Sequence, residues 1–330
     1  MRAIVQDRYG GTEQLRVADL PVPVSGEGEV LIRVGAAAVD RGTWLVMTGA
    51  PLIARPAFGP RAPTTRFRTP GRDLAGTIEA LGPGVSGWAP GDRVHGTADG
   101  SLAELVVTSA TRIARPPDGL TTEEAAALPV SGLTAFQALR GAGVSGLAET
   151  GDGTARVLVV GSSGGVGHLA VQLAAAAGAR VTAVSGPDAV QFAHDLGAHH
   201  VLDRSRDALD AEGVRYDVVL DIASNRRHRD LRAVLTERGT LVCIGTSGGR
   251  LTGGVHRSAG AAALDPFVRQ HLVMHVSKEL GSDLEALDAV VATGSVRPVL
   301  DLVAPFEKAG TAIDHLAAGR ARGKVVVTVG

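Results

Sequence analysis

The chain has 330 residues, 45% of them hydrophobic and 20% charged, with 33 Lys and Arg against 34 Asp and Glu for a formal net charge of −1. That length can bury two cores, and the near-zero charge argues against a general nucleic-acid binder, which carries a basic excess. The single cysteine, Cys243 in the run Leu241-Val-Cys-Ile, excludes an intramolecular disulfide and a Cys-rich zinc site and reads as a small core residue.

Met1–Arg8 lacks the apolar core of a signal peptide, and no apolar run approaches the roughly 20 residues of a membrane span. A cytoplasmic protein is the expectation. Short strands open the chain, at Arg2–Gln6, Leu15–Leu20, Glu29–Val39, Asp73–Leu81, Asp92–Gly96 and Leu102–Thr108, separated by Pro and Gly turns. They predict an irregular β barrel or sandwich. Thr48–Pro70, with Arg55, Arg61, Arg66 and Arg68, has no periodicity of its own and reads as a long loop. Its arginines either recognise an acidic substrate or lie solvated on the surface.

From Thr121 the period changes. Thr121 and Glu124 have capping-box spacing before Ala125–Leu128, and Ser131–Leu139 reads as a second helical piece. Arg156–Val160 is a short β-branched strand that runs through Gly161, Gly164, Gly165 and Gly167 into a helix at His168–Ala177. A strand, a glycine turn and a helix N-terminus make a pyrophosphate site: backbone N–H groups and the helix dipole face the anion, and missing Cβ atoms let it approach. Arg180–Ser185, Ala189–Leu196, His200–Asp203, Tyr216–Ala223, His228–Leu235 and Thr240–Gly245 then alternate strand and helix, apart from the two successive strands at His200 and Tyr216. That rhythm indicates a doubly wound parallel sheet. Gly245–Gly260 reads as a loop, Asp283–Ala292 and Pro305–Ala318 as helices, and Lys324–Val329 as a last strand.

Several segments together resemble the medium-chain dehydrogenase/reductase superfamily, in its zinc-independent, quinone oxidoreductase-like branch. They are Met1-Arg-Ala-Ile-Val, Pro70-Gly-Arg-Asp-Leu-Ala-Gly, Pro90-Gly-Asp-Arg-Val, Ala127-Leu-Pro-Val-Ser-Gly-Leu-Thr-Ala-Phe, Gly161-Ser-Ser-Gly-Gly-Val-Gly, Leu196-Gly-Ala, Tyr216-Asp-Val-Val-Leu-Asp and Ala321-Arg-Gly-Lys-Val-Val-Val. The resemblance implies an α/β chain: a GroES-like β-barrel catalytic domain over residues 1–120, completed by 297–330, and a doubly wound Rossmann domain over 121–296. It also implies a nicotinamide cofactor and a homodimer. Zinc-dependent relatives place a cysteine and a histidine where this chain carries Asp40-Arg-Gly-Thr and Arg72, so no metal is expected. Members of the zinc-independent branch reduce quinones or the C=C bond of α,β-unsaturated carbonyls.

The strand end Ala183-Val-Ser-Gly lacks the acid that holds the ribose diol of NAD. Small Ser185 and Gly186 leave room for a 2′-phosphate, which points to NADPH, with Arg204 as a phosphate or adenine contact. Ser162, Ser163, Gly164, Gly165, Val166 and Gly167 are read as phosphate-binding. By resemblance, Thr134, Ala223, Ile244, Gly245 and Thr246 reach the nicotinamide, and Arg322 and Lys324 the phosphates. Asp40 and Thr43 are the candidate catalytic pair, a polar handle on a substrate carbonyl. The predicted partner is a small-molecule quinone or enone. Two alternatives stay open: a metal-free carbonyl reductase or alcohol dehydrogenase, and a redox-inactive nucleotide-binding protein that keeps the fold.

Overall fold

The computed structural model describes residues 1–144, 155–210, 213–245, 251–253 and 255–330. It divides into two compact units: Met1–Leu133 with Glu279–Ala292 and Pro298–Gly330, and Thr134–Lys278 with Thr293–Arg297. The first boundary thus falls after Leu133 rather than near residue 120. The helix Gly281–Ala292, assigned above to the nucleotide domain, belongs to the first unit. It is tied there by a buried contact, His95 Nε2 to Asp288 Oδ2 at 2.8 Å.

The first unit is built on Glu29–Val39, eleven residues with a nearly unbroken apolar run. This strand pairs antiparallel with Asp73–Leu81, Leu105–Ser109 and Lys324–Thr328. Further strands, Arg93–Thr97 with Ile113–Ala114 on one side and Leu300–Pro305 on the other, complete a seven-stranded sheet. One face buries Ile32, Val34, Val39, Leu74, Ile78 and Val325 in a single core. The other face carries Ala36, Ala38 and Ala75, because Ala125–Ala127 pack directly on it and leave no space for larger side chains. The capping box at Thr121 forms as the spacing predicts: Glu124 N–H donates to Thr121 Oγ1, and Thr121 N–H to Glu124 Oε2.

Several elements of this unit were not legible in sequence. Arg41–Thr48 is a helix, Arg55–Phe58 is a short helix inside the segment read as a loop, Ile113–Ala114 is a short strand, and Leu300–Pro305 is a strand, parallel to Lys324–Thr328. In the arginine-rich segment three of the four side chains are held within the unit. Arg68 pairs with Asp7, Arg66 with Asp99, and Arg55 lies over the Tyr9 ring.

The second unit is a six-stranded, wholly parallel sheet. Its order is His200–Asp203, Arg180–Ser185, Arg156–Val160, Tyr216–Asp221, Leu235–Cys243 and His271–Met274. The chain reverses direction of winding between Arg156–Val160 and Tyr216–Asp221, and open α/β sheets bind ligands at the carboxyl ends of strands at such a point. Strand interiors such as Val157–Val160 are apolar on both faces, as a doubly covered sheet requires. The sixth strand, and the helix Val255–Leu264, which begins inside the predicted loop Gly245–Gly260 and runs past its end, are additions to the sequence reading. Among the described residues no helix is long and apolar enough to cross a membrane.

Candidate active site

In the second unit the glycine turn is built by exclusion of side chains. Gly161 has φ +94°, and a Cβ there would stand 3.0 Å from Ala223. A Cβ on Gly167 would lie 2.0 Å from the carbonyl oxygen of Gly161, so only hydrogen lets the helix start against the strand. A Cβ on Gly164 would meet nothing within 4 Å. That open face is where an anion can approach. The helix Gly165–Ala176 begins here, with Gly164 as N-cap and no side chain capping it, so its first-turn N–H groups stay available. The predicted start at His168 was late because glycine counted against helix; here the turn's glycines serve the entry.

Ser163–Val166 are partly exposed around this face. Ser162 is different. Its side chain is fully buried and its hydroxyl donates to Val184 O at 3.1 Å, so it ties the turn to the next strand and does not present its side chain to a ligand. Ala223 likewise packs behind Gly161.

Ser185 and Gly186 end their strand as expected, and the guanidinium of Arg204 lies about one van der Waals contact over Gly186, 3.6 Å from where its Cβ would be. Among the described residues the Arg204 side chain has no hydrogen-bond acceptor, while Asp203 beside it accepts from Ser205 N–H and Oγ. Asp188, three residues after Ser185 in sequence, sits in the first turn of the short helix Pro187–Ala189, while Asp203 is the register partner of Ser185 on the neighbouring strand.

At the carboxyl edge of the same sheet a cavity of about 340 Å³ is lined by Thr134 and, more than a hundred positions later in sequence, by Ile244 and Gly245. Cys243, Met274 and His275 complete much of its wall. Thr134 donates to Ser277 Oγ at 3.1 Å, and Gly245 is held by Ser224, whose hydroxyl donates to its carbonyl at 2.5 Å. Thr246 lies outside the described residues. His275 is a member of this site that the sequence did not indicate. Its Nε2 is buried without a hydrogen-bond partner among the described residues, and burial lowers its pKa, keeping the ring neutral near pH 7. No local motif marks it; only the position after a strand that periodicity missed would have found it.

The first unit holds a second cluster. Asp40 is the N-cap of Arg41–Thr48: its Oδ1 accepts from Thr43 N–H at 2.7 Å and from Thr43 Oγ1 at 2.9 Å. The pair read as catalytic is therefore a capping box, and Asp40 fixes Thr43. Thr43 in turn lines a small cavity of about 20 Å³ with Gln6, Met47, Arg72 and Asp99. Arg72 Nη2 contacts Glu279 Oε1, Arg112 Nη2 contacts Glu279 Oε2, and Arg66 Nε donates to Asp99 at 2.8 Å. Burial alone would raise the Glu279 carboxyl, but the two guanidiniums hold it below its ordinary value. Asp40→Ala is expected to cost about 1 kcal/mol of stability, the usual worth of an N-cap, whereas Asp40→Asn keeps the cap and its melting temperature. Thermal unfolding of both variants checks this.

Lys324, read as a phosphate contact, has another partner. It is 1% exposed, with Nζ 2.7 Å from Asp73 Oδ2 and 3.0 Å from Ser131 Oγ, inside the first unit. A buried, paired ammonium is not available to a phosphate. Arg322, two residues earlier, is exposed.

For the metal found in zinc-dependent relatives, the residues do not fit. Among the described residues no three His, Cys, Asp or Glu side chains form a metal-holding group. A guanidinium such as Arg72 has no lone pair to donate.

These features match known proteins over the whole chain. The Alcohol dehydrogenase GroES-like domain family matches residues 26–118 and the Zinc-binding dehydrogenase family residues 196–327. The chloroplast envelope quinone oxidoreductase homolog of Arabidopsis thaliana is 32% identical over 345 residues, covering 99% of this chain and 98% of that protein. The mitochondrial NAD(P)H oxidoreductase RTN4IP1 of Mus musculus is 32% identical over 100% of this chain and 89% of its own length. The solved structure of mycobacterial Rv1454c complexed with NADPH superposes with a TM-score of 0.80 at 26% identity, covering 99% of each chain. With a GroES-like unit, a Rossmann unit and these relatives, the chain belongs to the medium-chain dehydrogenase/reductase superfamily, in its quinone oxidoreductase-like branch, and is an NAD(P)H-dependent reductase.

Proposed function

We propose that the protein is a zinc-free, NADPH-dependent oxidoreductase acting on a quinone or on the C=C bond of an α,β-unsaturated carbonyl. The observation that carries the reading is the cavity at the sheet's carboxyl edge, where Thr134, Ile244 and Gly245 come together. Bound there, the reduced nicotinamide supplies hydride. The protein's own contribution is to orient it: the turn Ser163–Gly167 offers backbone N–H groups to the pyrophosphate, and apolar walls from Ile244 and Met274 keep water from the ring. Without a metal Lewis acid, a quinone or enone, already electrophilic, is a better acceptor than an unactivated aldehyde.

The preference for NADPH is supported by the neutral strand end at Ser185–Gly186 with the Arg204 guanidinium over it. Arg204→Leu should raise the dissociation constant for NADPH about tenfold, the worth of one charge-assisted hydrogen bond, and leave that for NADH unchanged. Nicotinamide fluorescence titration measures both. For the reaction, NADPH oxidation with a panel of quinones, enones and aldehydes, together with metal analysis, is the test. Turnover on aldehydes alone, or stoichiometric zinc, overturns the reading.

A further inference from the structure

The parallel sheet of the second unit has a cavity at its other edge too. It measures about 230 Å³, and Arg156, Arg180, Thr182, His199, His200 and Tyr216 stand in its wall. Arg156, Arg180, His200 and Tyr216 are the first residues of their strands, so this is the amino edge. The phosphate turn and the cavity at Thr134 belong to the carboxyl edge. Strands of five and six residues, at about 3.3 Å per residue, put roughly 15–20 Å between the two edges. The cofactor site therefore accounts for none of these side chains.

The wall is built of donors. Arg156 and Arg180 are register partners on adjacent parallel strands about 4.8 Å apart, so two like charges leave the sheet side by side, which costs stability. Neither guanidinium has an ion pair or a hydrogen bond among the described residues. Asp217 is close by, but its Oδ2 accepts from Arg156 N–H at 3.0 Å and its Oδ1 from Thr236 Oγ1 at 3.4 Å. Counting it leaves two guanidiniums against one carboxylate. Thr182 is only 7% exposed, yet its hydroxyl has no hydrogen-bond partner among the described residues. It lies two positions along the strand from Arg180, on the same face, and His200 is its register partner. His199 Nδ1 accepts from Val181 N–H at 3.3 Å, so the ring carries its hydrogen on Nε2, as a donor.

We propose that this cavity is a second anion site, one that takes the phosphate of a small phosphate monoester. Two guanidinium forks, a hydroxyl and an imidazole N–H are more donors than the two oxygens of a carboxylate can use. A phosphate monoester brings three terminal oxygens and a charge of about −1.5 to −2, which matches two cations. The cavity is smaller than the roughly 300–1,000 Å³ pockets of drug-sized ligands, so the phosphate comes on a short stem. Its charge screens Arg156 from Arg180, and occupancy therefore stabilises the unit. The inference goes beyond the reductase reading and does not rest on it.

The test keeps the cofactor site filled. With NADPH saturating, glycerol 3-phosphate is titrated calorimetrically into the wild type, Arg156→Gln and Arg180→Gln, with inorganic phosphate, acetate and glycerol as further probes. Both arginines are exposed, so neither replacement opens the core. The wild type should bind one glycerol 3-phosphate per chain, and acetate and glycerol at least about tenfold more weakly. Each replacement should weaken glycerol 3-phosphate and inorganic phosphate at least about tenfold and leave the NADPH dissociation constant unchanged. Melting temperatures give an independent readout. Without phosphate both variants should melt no lower than the wild type, because a like-charged neighbour is gone, and glycerol 3-phosphate should raise the melting temperature of the wild type alone. The inference is overturned by a wild type that shows no saturable binding, by equal binding in all three proteins, or by variants that melt lower than the wild type without phosphate. Acetate bound as tightly as glycerol 3-phosphate overturns the assignment to phosphate.

Discussion

Gly167→Ala is expected to unfold the nucleotide turn. Its new Cβ would lie 2.0 Å from Gly161 O and 2.8 Å from backbone atoms of Ser162, and none of these can swing aside as the end of a side chain can. Relief requires the helix Gly165–Ala176 to move away from the strand it packs on, separating a buried face that includes Leu169, Val171 and Leu173. Overpacking of this kind costs about 3 kcal/mol or more. The melting temperature should fall, and NADPH binding should be lost in whatever protein remains folded. Gly164→Ala makes the control. Its φ is −83° and its Cβ meets nothing, so the fold should be unaffected. The added methyl would stand on the face offered to phosphate, and the NADPH dissociation constant should rise about tenfold. Calorimetry with fluorescence titration separates the two. A Gly164→Ala that binds NADPH normally would remove the phosphate from this turn.

The second large effect belongs to Lys324. Burial, opposed by the Lys324 ammonium, pushes the Asp73 carboxyl up to about 6 from 3.8. Above pH 6 the carboxylate is ionised and needs its cation. Val130 N–H at 2.6 Å supplies one hydrogen bond but no charge. Lys324→Met leaves a buried, uncompensated charge, and breaking such a pair from one side costs about 3–5 kcal/mol. The pH dependence has a definite sign. A carboxyl whose folded pKa is raised binds its proton more tightly when folded; its stabilisation is full below 3.8 and is lost as pH rises through about 6. In Lys324→Met the raised pKa goes higher still, so the loss continues to higher pH. The gap in stability between wild type and variant should therefore be small at pH 5 and large at pH 8. Chemical denaturation at the two values measures it, and equal gaps would show that the pair is not held as an ion pair. Asp73→Asn combined with Lys324→Met should recover part of the loss, since neither charge then remains.

Both effects bear on how the chain could be read. The glycine turn was legible because its signal is local. A β-branched strand, four glycines within seven residues and a following helix state their conformation without reference to the rest of the fold, and the capping box at Thr121 did the same. Lys324 was misread for the opposite reason. Next to three valines at the end of the chain it resembles a surface base, and its partner Asp73 lies 251 positions earlier. Asp40 and Thr43 were noted as an unusual pair, but the helix they cap was hidden by Gly42 and the β-branched Thr43 and Val46 inside it.

By itself, then, the sequence determined the two-part α/β organisation, the alternation that makes a parallel sheet, and the phosphate turn, since each follows from the periodicity or backbone freedom of neighbouring residues. Only the tertiary structure decided which charges are spent inside the fold and which polar atoms are left over. Glu279 reaching Arg72 and Arg112, Asp99 reaching Arg66, and Lys324 reaching Asp73 are pairings between distant segments. Among the described residues, Arg72 Nε and Gln6 Oε1 are left unmatched beside one cavity, and His275 Nε2 beside another. A charged residue carries no local sign of its partner, because Coulomb attraction and burial act through space and not along the chain.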